Sequence, residues 1–584
     1  MRLNTLFTIL IAATSSVSCA VHDDVGISNL SEGGEFKSQE LIASLAAEEL
    51  GRQMAQTASG AQLLIGAGSP KCGVSVHRVA YRTNGAHGEK TVASSALMLP
   101  TGGPGCSGAR PVVLYAHGTA ISRSFNMAAI ADRNNEAWEE ATTVAAYFAA
   151  HGYIVVAPNY AGYDTSPLPY HPYLIASQQG KEMVDALTAS RSALASVRWL
   201  NEANDKVWES GKVFLTGYSE GGYVAMATQR QMEKAGMTVS AGAPMSGPYA
   251  LLASMDDAVV FSKPRLGGSV FLPLLINGYQ NAYGNLYRGA GEVYNANHIA
   301  AFEAWLPSEL AFRDLLDGWS LHEIAPFNEV TPGQGAEPSS GIASVDQALK
   351  RPNAEEDPIS ALGFSRDYLV TNKFRVRYAI DAYNHPDGLV PVATGLMQAA
   401  AEPADSMREA LRKNDLRSWM PKNPVMLCGG KSDPLVSFKI NTAALNSIWD
   451  RSGVRAEHRV VDVDPLAGNT IDAIVSIAAE AVGANSDLVP QLLGEAIRKA
   501  ILNSKELRRG ATKDVGATSP QRVMLDGLAE EASQAAFLAA SKGKRTTQEI
   551  AAAIAGSITG SYHYPLTENA CTAAVRSYFD EMVL

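Results

Sequence analysis

The segment Lys212-Val213-Phe214-Leu215-Thr216-Gly217-Tyr218-Ser219-Glu220-Gly221-Gly222 constrains this chain more than any other. A short apolar run enters Gly-x-Ser-x-Gly, and Tyr223 to Lys234 then follows a helical pattern. A strand that turns sharply into a helix holds its serine on a tight elbow with the hydroxyl exposed as a nucleophile. Gly217 and Gly221 suit that turn because side chains beside Ser219 would crowd it. Without the flanking strand and helix the same five residues would be a buried glycine-rich turn.

The surroundings supply a sheet for this elbow. Pro111 to Ala116 and Tyr153 to Pro158 are continuous apolar runs, as expected of strands buried on both faces. Helical patterns at Glu136 to Ala150 and Tyr173 to Val197 alternate with them, and Thr238 to Met245 and Asn423 to Gly430 continue the series. Alternation of strand and helix implies right-handed crossovers and an α/β fold with a doubly wound, mostly parallel sheet. Upstream, Val74 to Tyr81 and Thr91 to Leu99 read as an antiparallel pair around Asn84-Gly85. A helix is expected from Gln39 to Thr57.

Two stretches break the alternation. Residues 250–420 mix apolar helices with loops such as Thr331-Pro332-Gly333-Gln334-Gly335, and read as a largely helical cap over the sheet edge. Residues 466–560 are rich in Ala and Leu, with Val489, Leu493, Ile497 and Ile501 recurring as on one helix face. The expected layout is an export signal over 1–20, core segments at 36–249, 421–465 and 561–584, and these two insertions between them. At 584 residues and 46% hydrophobic, the chain has ample material for such a core. A net charge of -11 with no basic stripe argues against a nucleic-acid partner.

A serine hydroxyl needs a base, and the base needs a third group to set its tautomer. On sheets carrying such an elbow the acid follows the nucleophile in the chain and the histidine comes last. Asp433, in Gly429-Gly430-Lys431-Ser432-Asp433-Pro434, stands in the loop after a core strand. Asp387, in Asn384-His385-Pro386-Asp387-Gly388, is its rival. Two histidines lie beyond Asp433. His458 falls within the Ala456 to Val463 strand, whereas His563 precedes the last helix, Glu568 to Met582, where a base belongs. The developing oxyanion would meet the backbone N–H groups of Glu220 and Thr119, with Gly118 allowing close approach. His117 reads as a structural loop residue.

With Ala157-Pro158-Asn159-Tyr160-Ala161-Gly162-Tyr163 and His171-Pro172-Tyr173-Leu174 upstream, the elbow resembles that of the bacterial and fungal secretory lipases and esterases of the α/β-hydrolase superfamily. The resemblance covers roughly residues 70–250 and 420–465 and the tail from Ser561. It implies carboxylic-ester hydrolysis through an acyl-enzyme, with the nucleophile carried onto Ser219, the acid onto Asp433 and the base onto His563. It implies a small-molecule or lipid ester as substrate and no cofactor. A serine peptidase, an acyltransferase or a non-catalytic binding protein on the same fold are the other readings. In the cap, Phe271 to Ile276 with Tyr279, Tyr283 and Tyr287 form a stripe that fits plain core packing or an apolar acyl pocket. No metal-ligand spacing of the Cys-x-x-Cys or His-Glu-x-x-His kind occurs.

Arg2, the apolar run Leu6 to Ala13 and the small residues ending at Ala20 have the layout of an export signal. Cleavage after Ala20 would release the protein; alternatively Ser16-Val17-Ser18-Cys19 resembles a lipobox, and a lipidated Cys19 would tether it to a membrane. Either way an extracytoplasmic address is expected. Four further cysteines, Cys72, Cys106, Cys428 and Cys571, then suggest two disulfides. The favoured pairs are Cys72–Cys106 and Cys428–Cys571, against the alternative of four free buried thiols.

Overall fold

A computed structural model describes residues 33–583 apart from 56–63, 65, 104, 201–206, 265–267, 300–305, 311–324, 354–356, 362, 467, 486–487, 512–518 and 545. The expected export signal and Cys19 therefore lie outside the described residues. The strands, in chain order, are β1 (Phe36–Leu45), β2 (Gly73–Asn84), β3 (Lys90–Thr101), β4 (Gly108–Ala116), β5 (Ile154–Pro158), β6 (Val207–Tyr218), β7 (Ala241–Met245), β8 (Ala325–Asn328), β9 (Phe364–Ser365), β10 (Tyr368–Val370), β11 (Val425–Gly429) and β12 (His458–Asp462). Nine of them form one sheet in the order β1-β2-β3-β5-β4-β6-β7-β11-β12. From β5 to β12 all neighbours run parallel, while β1, β2 and β3 add an antiparallel edge.

The parallel part follows from the apolar runs. Every residue of β5, β7 and β11 is buried, so both faces of the sheet are covered. Helix Ala176–Leu200 packs on helix Glu220–Lys234, and the C-terminal helix Glu568–Val583 packs beside Trp138–Tyr147. Phe214 of β6 stacks on Phe579 of that last helix with ring centroids 4.5 Å apart.

The segment expected as a helix from Gln39 divides differently. Among the described residues, Phe36–Leu45 are a strand and Ala47–Met54 are helical. Glu40 and Leu41 pair with Arg78 and His77 of β2. An open sheet edge offers a ladder of backbone hydrogen bonds, and that outweighs the good helix propensity of Glu, Leu and Ala, which is worth only tenths of a kcal/mol per residue.

Between β7 and β11 the described residues hold helices Leu251–Val259, Gly268–Tyr283, Asn372–Asn384 and Ser406–Asn414, with a small parallel sheet ordered β10-β8-β9 that the patterning did not predict. Buried ion pairs fasten this region. Arg408 bonds Asp256 and Asp381, each at 2.8 Å, and Arg417 bonds Asp387 at 2.7 Å and Asp415 at 2.8 Å. Between β12 and residue 562 the chain makes helices Thr470–Ala484, Pro490–Asn503, Lys505–Ala511, Pro520–Ser541 and Thr547–Ser561. The sulfurs of Cys72 and Cys106 are 2.06 Å apart, and those of Cys428 and Cys571 are 2.03 Å apart.

Candidate active site

Ser219 stands between the end of β6 and helix Glu220–Lys234, with φ 57° and ψ -117°. A non-glycine residue in that region is strained and persists only where its surroundings impose it. Here they do. Its N–H donates to the Met245 carbonyl at 3.0 Å. A Cβ on Gly221 would lie 1.9 Å from the Ala116 carbonyl oxygen, and one on Gly217 would lie 2.3 Å from the same atom. The elbow glycines are thus required by the backbone of β4, against which the turn is pressed.

His563 and Asp433 meet Ser219. His563 Nε2 is 2.9 Å from Ser219 Oγ, and its Nδ1 is 2.7 Å from Asp433 Oδ2. Asp433 is buried, and its other oxygen accepts from the N–H groups of Leu435 and Val436 at 2.9 and 3.0 Å. Ser219 itself is half-buried. The loops carrying Asp433 and His563 are held together by Asp464, whose Oδ2 accepts from the Ser432 N–H at 3.1 Å and the Tyr562 hydroxyl at 2.6 Å. Tyr218 donates its hydroxyl to the His563 carbonyl.

The rival residues are engaged elsewhere. Both oxygens of Asp387 are taken by Arg417, at 2.9 and 2.7 Å. His458 bonds Asp450 at 2.9 Å and the Ala456 carbonyl at 3.0 Å. His117 is fully buried, stacked on Tyr160, and burial pulls its pKa down to about 3, which keeps it neutral. In the tyrosine stripe, Tyr279 is buried and donates to the Leu174 carbonyl, while Tyr283 accepts from Asn414. Those two rings belong to core packing.

Thr119 and Glu220, the expected oxyanion donors, come from two elements: Glu220 follows Ser219 at the start of its helix, and Thr119 lies in the loop after β4. Glu220 is the first residue of its helix, so its N–H has no partner within that helix. The Thr119 N–H has no acceptor among the described residues. Sequence reasoning missed what lies behind them. The Glu220 carboxyl is buried against His171 and Gln179, both at 2.7 Å. Behind Gly118, the buried Glu140 accepts from the Gly118 N–H at 2.9 Å and the Tyr115 hydroxyl at 2.8 Å. The motif His171-Pro172-Tyr173 was visible as a pattern, but nothing in its spacing points to residue 220.

Burial holds Glu140 well above the usual carboxylate range, and the nearby carboxyls of Glu220 and Glu136 add to the effect. A carboxyl protonated in the folded state but ionised when unfolded favours folding at low pH. That stability is full below the ordinary glutamate value of 4.5 and is lost as pH rises through the raised value. Glu140→Gln keeps an acceptor for Gly118 and Tyr115 and cannot ionise. Its melting temperature is expected to match that of the parent at pH 4.5 and to exceed it at pH 8, as thermal unfolding at the two pH values would read. A parent that gains on the variant with rising pH would reverse the assignment.

The sheet, the elbow and the contact between Ser219 and His563 define the class: this chain has the α/β-hydrolase fold in the form carried by lipases and esterases. No family model matches the sequence, and no curated protein matches it either. Among solved structures, the rice cell wall degrading esterase LipA from Xanthomonas oryzae superposes with a TM-score of 0.54 at 25% identity, over 74% of this chain and 90% of that one. A ligand-bound form of the same esterase gives a TM-score of 0.53 at 25% identity, with the same coverage. A protein from Legionella pneumophila, provisionally called a hydrolase, covers 82% of this chain and 99% of its own at 18% identity and a TM-score of 0.50, and bears on the fold alone.

Proposed function

We propose that the protein is an exported serine carboxylic-ester hydrolase working through an acyl-enzyme. The observation that carries this reading is the pair of contacts on His563, one nitrogen on Ser219 and the other on Asp433. In the proposed cycle His563 Nε2 takes the Ser219 proton as Oγ bonds to the ester carbonyl carbon. The carbonyl oxygen becomes an oxyanion between the N–H groups of Thr119 and Glu220. Asp433 steadies the imidazolium through Nδ1–H. The intermediate collapses, the ester C–O bond breaks, and the leaving alkoxide takes the proton from Nε2. Water then repeats the sequence on the acyl-serine, releasing the acid and the free enzyme.

Residues 250–420 are the proposed cap over this rim, and an apolar acyl group is the proposed substrate portion. Two disulfides and the likeness to LipA support an extracytoplasmic address. No helix among the described residues is long and apolar enough to cross a membrane.

The test is hydrolysis of p-nitrophenyl esters of increasing acyl length, run beside peptide substrates. Turnover of short or medium esters, with stoichiometric fluorophosphonate labelling mapped to Ser219, is the expected outcome. Peptide cleavage without ester turnover, or a label on another residue, would overturn the reading.

A further inference from the structure

The loop at residues 171–173 touches both sides of the expected oxyanion hole at once. His171 Nε2 lies 2.7 Å from Glu220 Oε1, and Tyr173 OH lies 3.0 Å from Thr119 Oγ1. The loop is tightly made. The Tyr173 N–H donates to the His171 carbonyl at 2.8 Å, and Gly278 packs against its backbone, where a Cβ would sit 3.0 Å from the His171 carbonyl oxygen. Tyr160 and Tyr163 stack and tilt against the His171 ring at 5.5 and 4.8 Å. Downstream, the Leu174 carbonyl accepts from the hydroxyls of Tyr223 and Tyr279 at 3.0 and 3.2 Å.

Charge matters as much as position. The side chains of His171 and Glu220 are both wholly inaccessible to solvent. His171 Nδ1 faces the Ala161 carbonyl at 3.1 Å, an acceptor only, so Nδ1 carries a hydrogen. The 2.7 Å approach of Nε2 to Oε1 needs a second hydrogen between them. Whether that proton sits nearer nitrogen or oxygen, the pair is neutral as a unit. Gln179 Nε2 also donates to Oε1 at 2.7 Å but carries no charge, and Glu220 Oε2 has no partner among the described residues. A bare carboxylate here would stand one side chain's length from its own N–H, where the oxyanion is expected to form. In a dry site that repulsion would be strong.

We propose that His171 and Tyr173 are positioning residues for the oxyanion hole. His171 cancels the charge of Glu220 and fixes the start of the nucleophile helix, and Tyr173 anchors the Thr119 loop. The inference rests on the ester-hydrolase reading and deepens it. Neither residue touches the reacting atoms; both act through the donors.

His171→Gln retains a donor of similar reach but has no basic nitrogen to share the extra proton with Glu220, which separates charge from contact. On a p-nitrophenyl ester it is expected to lower kcat by about 30- to 100-fold while KM moves by less than about threefold, because the loss falls on the transition state. In His171→Gln/Glu220→Gln the uncompensated charge is gone, and at least tenfold of that loss should return. A merely structural role predicts the opposite, since a second buried substitution would add damage. Unchanged kcat in the single variant, or a double variant no better than the single, would overturn the proposal. Should His171→Gln fail to fold, Tyr173→Phe carries the test, with kcat expected to fall about fivefold at constant KM and an unaltered kcat counting against it. A parent enzyme that hydrolyses no ester would instead refute the underlying function, so the two failures are distinct.

Discussion

Ser219→Ala and His563→Gln are each expected to lower kcat for ester hydrolysis by about 10⁴-fold or more, and the double variant to be no slower than either alone. The reason is the 2.9 Å contact between Ser219 Oγ and His563 Nε2. A serine without its base and a base without its serine are equally idle, so the two losses overlap. What remains in either variant is the activity that oxyanion donors and substrate binding supply to a water nucleophile, about 10³-fold over solution. Folding should be little affected by Ser219→Ala, because the φ of 57° is imposed by the packing of Gly217 and Gly221 on Ala116 and not by the hydroxyl. Steady-state kinetics on the three variants, with melting temperatures alongside, decide the matter. Ester turnover above about one per cent of the parent rate in Ser219→Ala would place the nucleophile elsewhere. Multiplying losses in the double variant would mean that the two side chains act separately.

The legibility of this fold varied with how local its determinants are. Strands β4, β5 and β11 announce themselves because a strand buried on both faces is apolar at nearly every position. The elbow is equally local, since its glycines answer to the turn itself. Strand β1 was misread because its conformation depends on β2, whose paired residues lie from 29 (Leu45 and Val74) to 45 (Phe36 and Tyr81) positions further on, and not on its own side chains. The sheet of β8, β9 and β10 was invisible for another reason. Phe364–Ser365 is two residues long, too short for any alternation to register.

Candidate site residues divide along the same line. Asp433 and His563 could be singled out by their places after a strand and before the last helix, although 130 positions separate them. Nothing comparable marked His171. Its partner Glu220 lies 49 residues on, and a histidine before a proline carries no signal of a buried carboxyl. Glu140 was equally silent, because the acceptor it presents to Gly118 and Tyr115 exists only once β4 and the Trp138–Tyr147 helix have packed.

The second large effect concerns the bridge between Cys428 and Cys571. Cys428 lies on β11, five residues before Asp433, and Cys571 lies on the last helix, eight residues after His563. The bridge therefore joins the supports of Asp433 and His563 across the excursion of helices from Thr470 to Ser561. Its closed loop spans 143 residues, against 34 for Cys72–Cys106. Cross-linking restricts the unfolded chain more as the loop lengthens, which corresponds to about 5 kcal/mol for the longer loop and about 4 kcal/mol for the shorter. Cys428→Ala/Cys571→Ala is thus expected to lower stability more than Cys72→Ala/Cys106→Ala, as urea unfolding midpoints would read. Its kcat should stay close to that of the parent at temperatures where it remains folded, because Asp464 still bonds Ser432 and Tyr562 beside the loops that carry Asp433 and His563. A shorter-loop variant that proves the less stable of the two would refute the chain-entropy account. A folded long-loop variant with a large loss of kcat would instead make the bridge itself the device that aligns base with acid.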